Sequence, residues 1–144
     1  MKLLLALTIL ASAAVLLTAA DASGVTYVGH DKVAAALAKG GPLVGGKDHT
    51  VAASHREKGG SVEIHEKETD VFYVTDGAAT FVTGGAIVDG KTTKPGQMIG
   101  TDIKGGQTHH LSKGDVIVIP AGTPHWFKEV PASVSYFVVK VVKP

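Results

Sequence analysis

The sequence predicts an all-β single domain, a sandwich or small barrel of short antiparallel strands, with one short helix near its start. Three observations carry this prediction. The chain has 144 residues, one domain's length, and 44% of them are hydrophobic, enough for a packed core. Eighteen glycines beside only 6% aromatic residues suit many tight turns better than a helical bundle. From residue 50 onward, short runs rich in Val, Ile, Thr, Tyr and Phe alternate with turns built on Gly, Pro and Asp.

The elements follow in order. Met1-Lys2, the apolar run from Leu3 to Leu17 and the small residues of Ala20-Asp21-Ala22 form the pattern of a secretory signal peptide over residues 1–22, cut after Ala22 or, as second choice, after Ala20. The alternative is an uncleaved anchor, for which the run lies near the lower length limit of about 17 residues. Export to a secreted or periplasmic location follows from this pattern. Residues 23–49 form an N-terminal segment with a helix over 31–39, which Asp31 can cap, Val33 to Ala38 fill with helix formers, and Gly40-Gly41-Pro42 stop. Its place is outside the barrel. Residues 50–144 make the barrel, with strands at 50–56, 61–65, 71–75, 78–83, 108–111, 115–120, 125–130 and 134–142. Asp76-Gly77 between two β-rich runs predicts a hairpin turn. Residues 84–107 are polar and Gly-broken, a long loop with a small hairpin that is either a mobile surface insertion or a flap over the barrel mouth.

Charge and cysteine exclude some classes. The net charge is +1 without a long charge run, so nothing marks a nucleic-acid partner or, once a signal is cleaved, a membrane partner. There is no Cys, hence neither a disulfide nor a thiolate ligand, and the core, oligomerisation or a metal must hold the fold.

Two clusters could do chemistry. In the second, Gly114 precedes an apolar strand, Pro120 ends it, Gly122 turns the chain and His125 opens the next strand. Residues two apart share a strand face, so His125, Phe127 and Glu129 are expected to point one way, and an imidazole facing a barrel interior can bind a metal or act as a base. In the first cluster, Glu63 and His65 share a face. After a tight turn, Asp70 opens a returning strand with Phe72 and Val74 on its side, so two adjacent strands aim Glu63, His65 and Asp70 at one point. Two converging carboxylates repel, which favours a bound cation. His55 and Arg56 lie on an early strand, where Arg56 could clamp a substrate carboxylate or stand as an exposed charge. His109-His110 precedes the second cluster; a solvated or core role outweighs ligation there. Tyr73, Trp126, Phe127 and Tyr136 read as packing residues.

Together these clusters resemble the two motifs of the cupin superfamily. The second fits G-x5-P-x-G-x2-H-x3-N through Gly114, Pro120, Gly122 and His125, with Glu129 at the Asn position. The first fits G-x5-H-x-H-x3–4-E-x6-G through His65 and Gly77, with Asp70 at the Glu position and Glu63 at that of the first His. The resemblance implies a jelly-roll barrel (a double-stranded β-helix), a divalent metal held by Glu63, His65, Asp70 and His125, and a homodimer. Histidine and carboxylate ligands suit manganese, iron or zinc. His65, Asp70 and His125 alone would be a two-His, one-carboxylate set suited to ferrous iron, and Glu63 adds charge that favours manganese. His55, Phe72, Phe127 and Glu129 are the candidates for substrate contact, with Glu129 or His55 to move a proton. The functions that follow are a metal-dependent oxygenase, isomerase or lyase acting on a small organic molecule, or a barrel that has lost its metal and binds a small ligand without turnover.

Overall fold

The structure, a computed structural model, describes residues 24–143; the signal-peptide pattern of residues 1–22 lies outside them. The helix α1 runs over His30–Lys39. Asp31 does not cap it. The N-cap is Gly29, whose carbonyl accepts from the Val33 amide at 3.2 Å, while Asp31 in the first turn and Lys39 in the last lie where they complement the helix dipole. Gly40 ends the helix, its amide donating to the Ala36 carbonyl at 2.7 Å.

Twelve strands follow among the described residues: β1 Gly41–Gly45, β2 His49–Arg56, β3 Val62–His65, β4 Glu68–Thr83, β5 Ala86–Val88, β6 Lys91–Lys94, β7 Gln97–Gly100, β8 Asp102–Lys104, β9 Gln107–Ser112, β10 Val116–Ile119, β11 His125–Glu129 and β12 Val134–Val142. The pairings are antiparallel throughout. Sheet structure begins at Gly41, ahead of residue 50, because Pro42-Leu43-Val44 adds an edge strand to β2. Pro is tolerated at such an edge, where no partner needs its missing amide. Leu43 and Ala53 on this outer face bury against Ala36, with Val33, Leu37 and Phe137 around them, so α1 has its own small core outside the barrel.

Asp76-Gly77 is not a hairpin turn. β4 runs through it as one 16-residue strand. Its first part pairs with β10 and β12, and its second with β9 and β11. The register slips by one residue at Thr75, opposite Ser135/Tyr136, a bulge that bends β4 from one wall to the next. Gly77 has φ +75°, and a Cβ there would collide with the Ser133 carbonyl. The left-handed glycine that marks a turn thus serves a bulge here.

Residues 84–107 are not a long loop. β5 pairs with β8, β6 with β7 across Pro95-Gly96, and β7 continues the wall beside β3, placing Gln97 opposite His65. Apart from Gly100, which ends β7, the glycines that break the sequence pattern lie between very short strands. The main core joins both walls through Phe72, Val74, Phe81, Ile119, Phe127, Val134 and Tyr136. Phe72 stacks on Phe127 at 5.9 Å between ring centroids, and Phe127 on Tyr136 at 5.0 Å. Tyr73 instead lies on the outer face, 47% exposed.

Candidate metal and ligand site

A cavity of about 250 Å³ opens above the aromatic floor of the barrel, lined by residues of both walls. β3 contributes Glu63 and His65, two apart and on one face. β11 lies beside β3 with His125 opposite Glu63, so the three converge from one wall. Asp70 comes from the other wall. β3 and β4 are not the paired hairpin that the spacing predicts; β4 instead places Asp70 between Ile119 of β10 and Lys140 of β12.

The ligand atoms of Glu63, His65 and His125 all lie within 4.8 Å of one another. His65 Nε2 is 3.5 Å from Glu63 Oε2, and His125 Nε2 is 3.9 Å from the same oxygen. His125 Nδ1 donates to the Thr123 carbonyl at 3.0 Å, which fixes the tautomer and leaves a lone pair on Nε2. That Nε2 is buried and has no hydrogen-bond partner among the described residues. Burial holds the His125 pKa below its ordinary value, against the Thr123 bond and the charges of Asp70 and Glu63. The imidazole is therefore neutral, as a ligand must be. Glu63 is held below the usual carboxylate range, first by its interaction with His65 and further by the charge of Arg56, with burial opposing. An ionised carboxylate and an unpartnered imidazole lone pair facing one point fit a divalent cation.

Asp70 is 2% exposed, and both of its oxygens accept from Lys140 Nζ, at 2.8 and 3.0 Å. Lys140 also meets Glu68 at 3.3 Å. The converging carboxylates thus have a cation within the protein, and their repulsion does not by itself call for a metal. Asp70 Oδ2 still lies 3.6 Å from His65 Nε2 and 3.7 Å from His125 Nε2, beside the three-residue set.

Phe72 and Phe127 line the cavity; His55 and Glu129 do not. His55 alternates outward on β2 and is hydrogen-bonded to Ser135 Oγ at 2.8 Å, so its strand neighbours Ser54 and Arg56 face inward instead. Glu129 is exposed because the register slips after Phe127, which breaks the two-residue alternation from His125. His109 is hydrogen-bonded to Thr83 Oγ1 at 2.8 Å and does not line the cavity. Sequence reasoning missed Lys140 altogether. Its signal was the alternation Tyr136, Val138, Lys140, which all line the cavity.

The Cupin family model matches residues 42–144, and the chain belongs to the cupin family. The fold is accordingly the family's jelly roll. No curated protein matches in sequence. Among solved structures, the chain is similar to KdgF from Halomonas sp., at 17% identity and TM-score 0.53 over 73% of this chain and 78% of that one. It is also similar to the conserved SPY1581 protein of unknown function from Streptococcus pyogenes, at 20% and 0.51 over 74% of each. A conserved protein with a double-stranded β-helix domain from Klebsiella pneumoniae is similar at 15% and 0.50, over 70% of this chain and 69% of that one. At these identities the likeness concerns the fold.

Proposed function

We propose that this protein is an exported cupin that holds one divalent ion, manganese, iron or zinc, on Glu63, His65 and His125, and acts through it on a small organic substrate. The observation that carries the reading is the buried, unpartnered Nε2 of His125 beside Glu63 and His65. Asp70 is the fourth candidate, available once Lys140 releases it. When bound, the metal supplies Lewis acidity or dioxygen activation. The protein's own residues orient the ligand imidazoles and exclude water at the aromatic floor. The test is elemental mass spectrometry of the purified protein beside His125→Ala. About one equivalent of metal in the parent, lost in the variant, is the expected result. No metal in either, even after reconstitution with each ion, overturns it.

One observation favours a second reading. Lys140 already pairs with Asp70, so that carboxylate needs no ion, and the barrel could capture a small ligand with no turnover. Export rests on the pattern of residues 1–22, and a mature N-terminus at residue 23 or 21 of the exported protein would support it. We infer a second copy of the chain as partner across the outer face of β10, β4 and β12. There Val116, Val118, Tyr73 and Val141 are exposed and, among the described residues, β10 pairs with no strand but β4.

A further inference from the structure

Of the fourteen Lys and Arg residues in the chain, one is arginine, Arg56, and it lines the cavity. Lysine is the cation everywhere else, so the planar, five-donor guanidinium stands only where geometry counts. Three groups hold it in place. Nε donates to the Tyr136 hydroxyl at 2.9 Å. The guanidinium carbon lies 4.8 Å over the centre of the Phe127 ring. The third group is Gly60, where a Cβ would come within 2.9 Å of Nη1, so the absence of a side chain makes the room. The Gly60 carbonyl is itself fixed by Trp126 Nε1, which donates to it at 2.6 Å.

None of these groups neutralises Arg56, and no carboxylate pairs with it among the described residues. Lys140, the other cavity cation, is taken by Asp70 and Glu68. The cavity therefore presents one fixed guanidinium that no carboxylate pairs with directly, though Glu63 feels its charge; among the described residues its terminal donors have no hydrogen-bond partner, and its rotamer cost is already met. We infer that Arg56 anchors the carboxylate of a small monoanionic organic acid, which spans from the guanidinium to the Glu63–His65–His125 group. The inference rests on the reading of this cavity as the ligand site. A carboxylate fits the two-pronged geometry, and a single free cation beside the acidic Glu63 disfavours a dianion such as phosphate. The volume of about 250 Å³ lies just below the roughly 300–1,000 Å³ of drug-sized ligand sites and suits an acid of a few carbons.

A sole arginine gives one arginine Nε–H signal in nitrogen-15 NMR, and the bond to Tyr136 protects that proton from exchange. The signal would be followed, in chelator-treated and in metal-loaded protein, during titration with acetate, glycolate, lactate and pyruvate. Lactamide, pyruvamide and inorganic phosphate would serve as comparisons. The expected result is a saturable shift with at least one acid, none with the amides, and at least a tenfold weaker affinity in Arg56→Lys and Arg56→Gln as read by Trp126 fluorescence. A silent signal with all four acids, amides that bind as well, phosphate that binds as tightly, or variants with undiminished affinity would each overturn it. Intact metal loading with a silent Arg56 sinks this inference alone. A responsive Arg56 in a protein that takes up no metal sinks the metal reading alone.

Discussion

Asp70 and Lys140 meet only because β12 lies beside β4, with Lys140 opposite Asp70 in register. Removing the amine leaves a carboxylate, 2% exposed, without its cation. Lys140→Met should therefore cost about 2–3 kcal/mol in urea unfolding of metal-free protein, below the ~3–5 kcal/mol for breaking a fully buried pair because Lys140 keeps contact with water. Saturating metal should restore part of that loss, since Asp70 then has an ion to face. His125 sets a pH dependence. Its folded pKa lies below 6.5, so the unfolded chain binds the extra proton first, and its contribution is present above about pH 6.5 and lost on acidification. The urea midpoint of metal-free protein should fall between pH 7.5 and 5.5, and fall less in His125→Gln. Glu63, lowered from 4.5, adds a loss only at more acidic pH. Glu63, His65, Asp70 and His125 were legible from the cluster pattern alone. Lys140 and the inward face of Arg56 were not, because each depends on which strand lies alongside.

At the scale of elements, β4 shows both the reach and the limit of the pattern. Its two β-rich halves were evident, but the glycine between them admits a turn or a bulge with the same φ, and only the pairing with β12 decides. Gly77→Ala would force a side chain into the left-handed region and against the Ser133 carbonyl. It should destabilise by about 3 kcal/mol, near the upper end for local backbone strain, as measured by chemical denaturation. Within residues 84–107 the sequence predicts one small hairpin, which β6 and β7 form, and the remaining strands are not evident in it for another reason. At three or four residues each they show almost no alternation, and β7 is a strand only because β3 offers it a ladder.

For the whole molecule, binding energy and assembly are the measurable quantities. A metal at 100 times its dissociation constant should add about 2.7 kcal/mol to stability and raise Tm in the parent, but not in His125→Ala. Light scattering should report a dimer, and Val118→Glu, which puts a charge on the exposed apolar face, should give a monomer with the same metal content.

The position of β12 has a consequence for how the molecule comes into being. This strand pairs with β2 on one side and β4 on the other, closing the wall that bears Asp70, and it supplies Tyr136, which holds Arg56, and Lys140, which holds Asp70. Until residues 134–142 have been made, Arg56 lacks Tyr136, Asp70 lacks Lys140, and β2 and β4 lack the strand that joins them. The wall that bears Asp70 thus stays open until β12 is in place, and that open state is vulnerable to aggregation if it lingers.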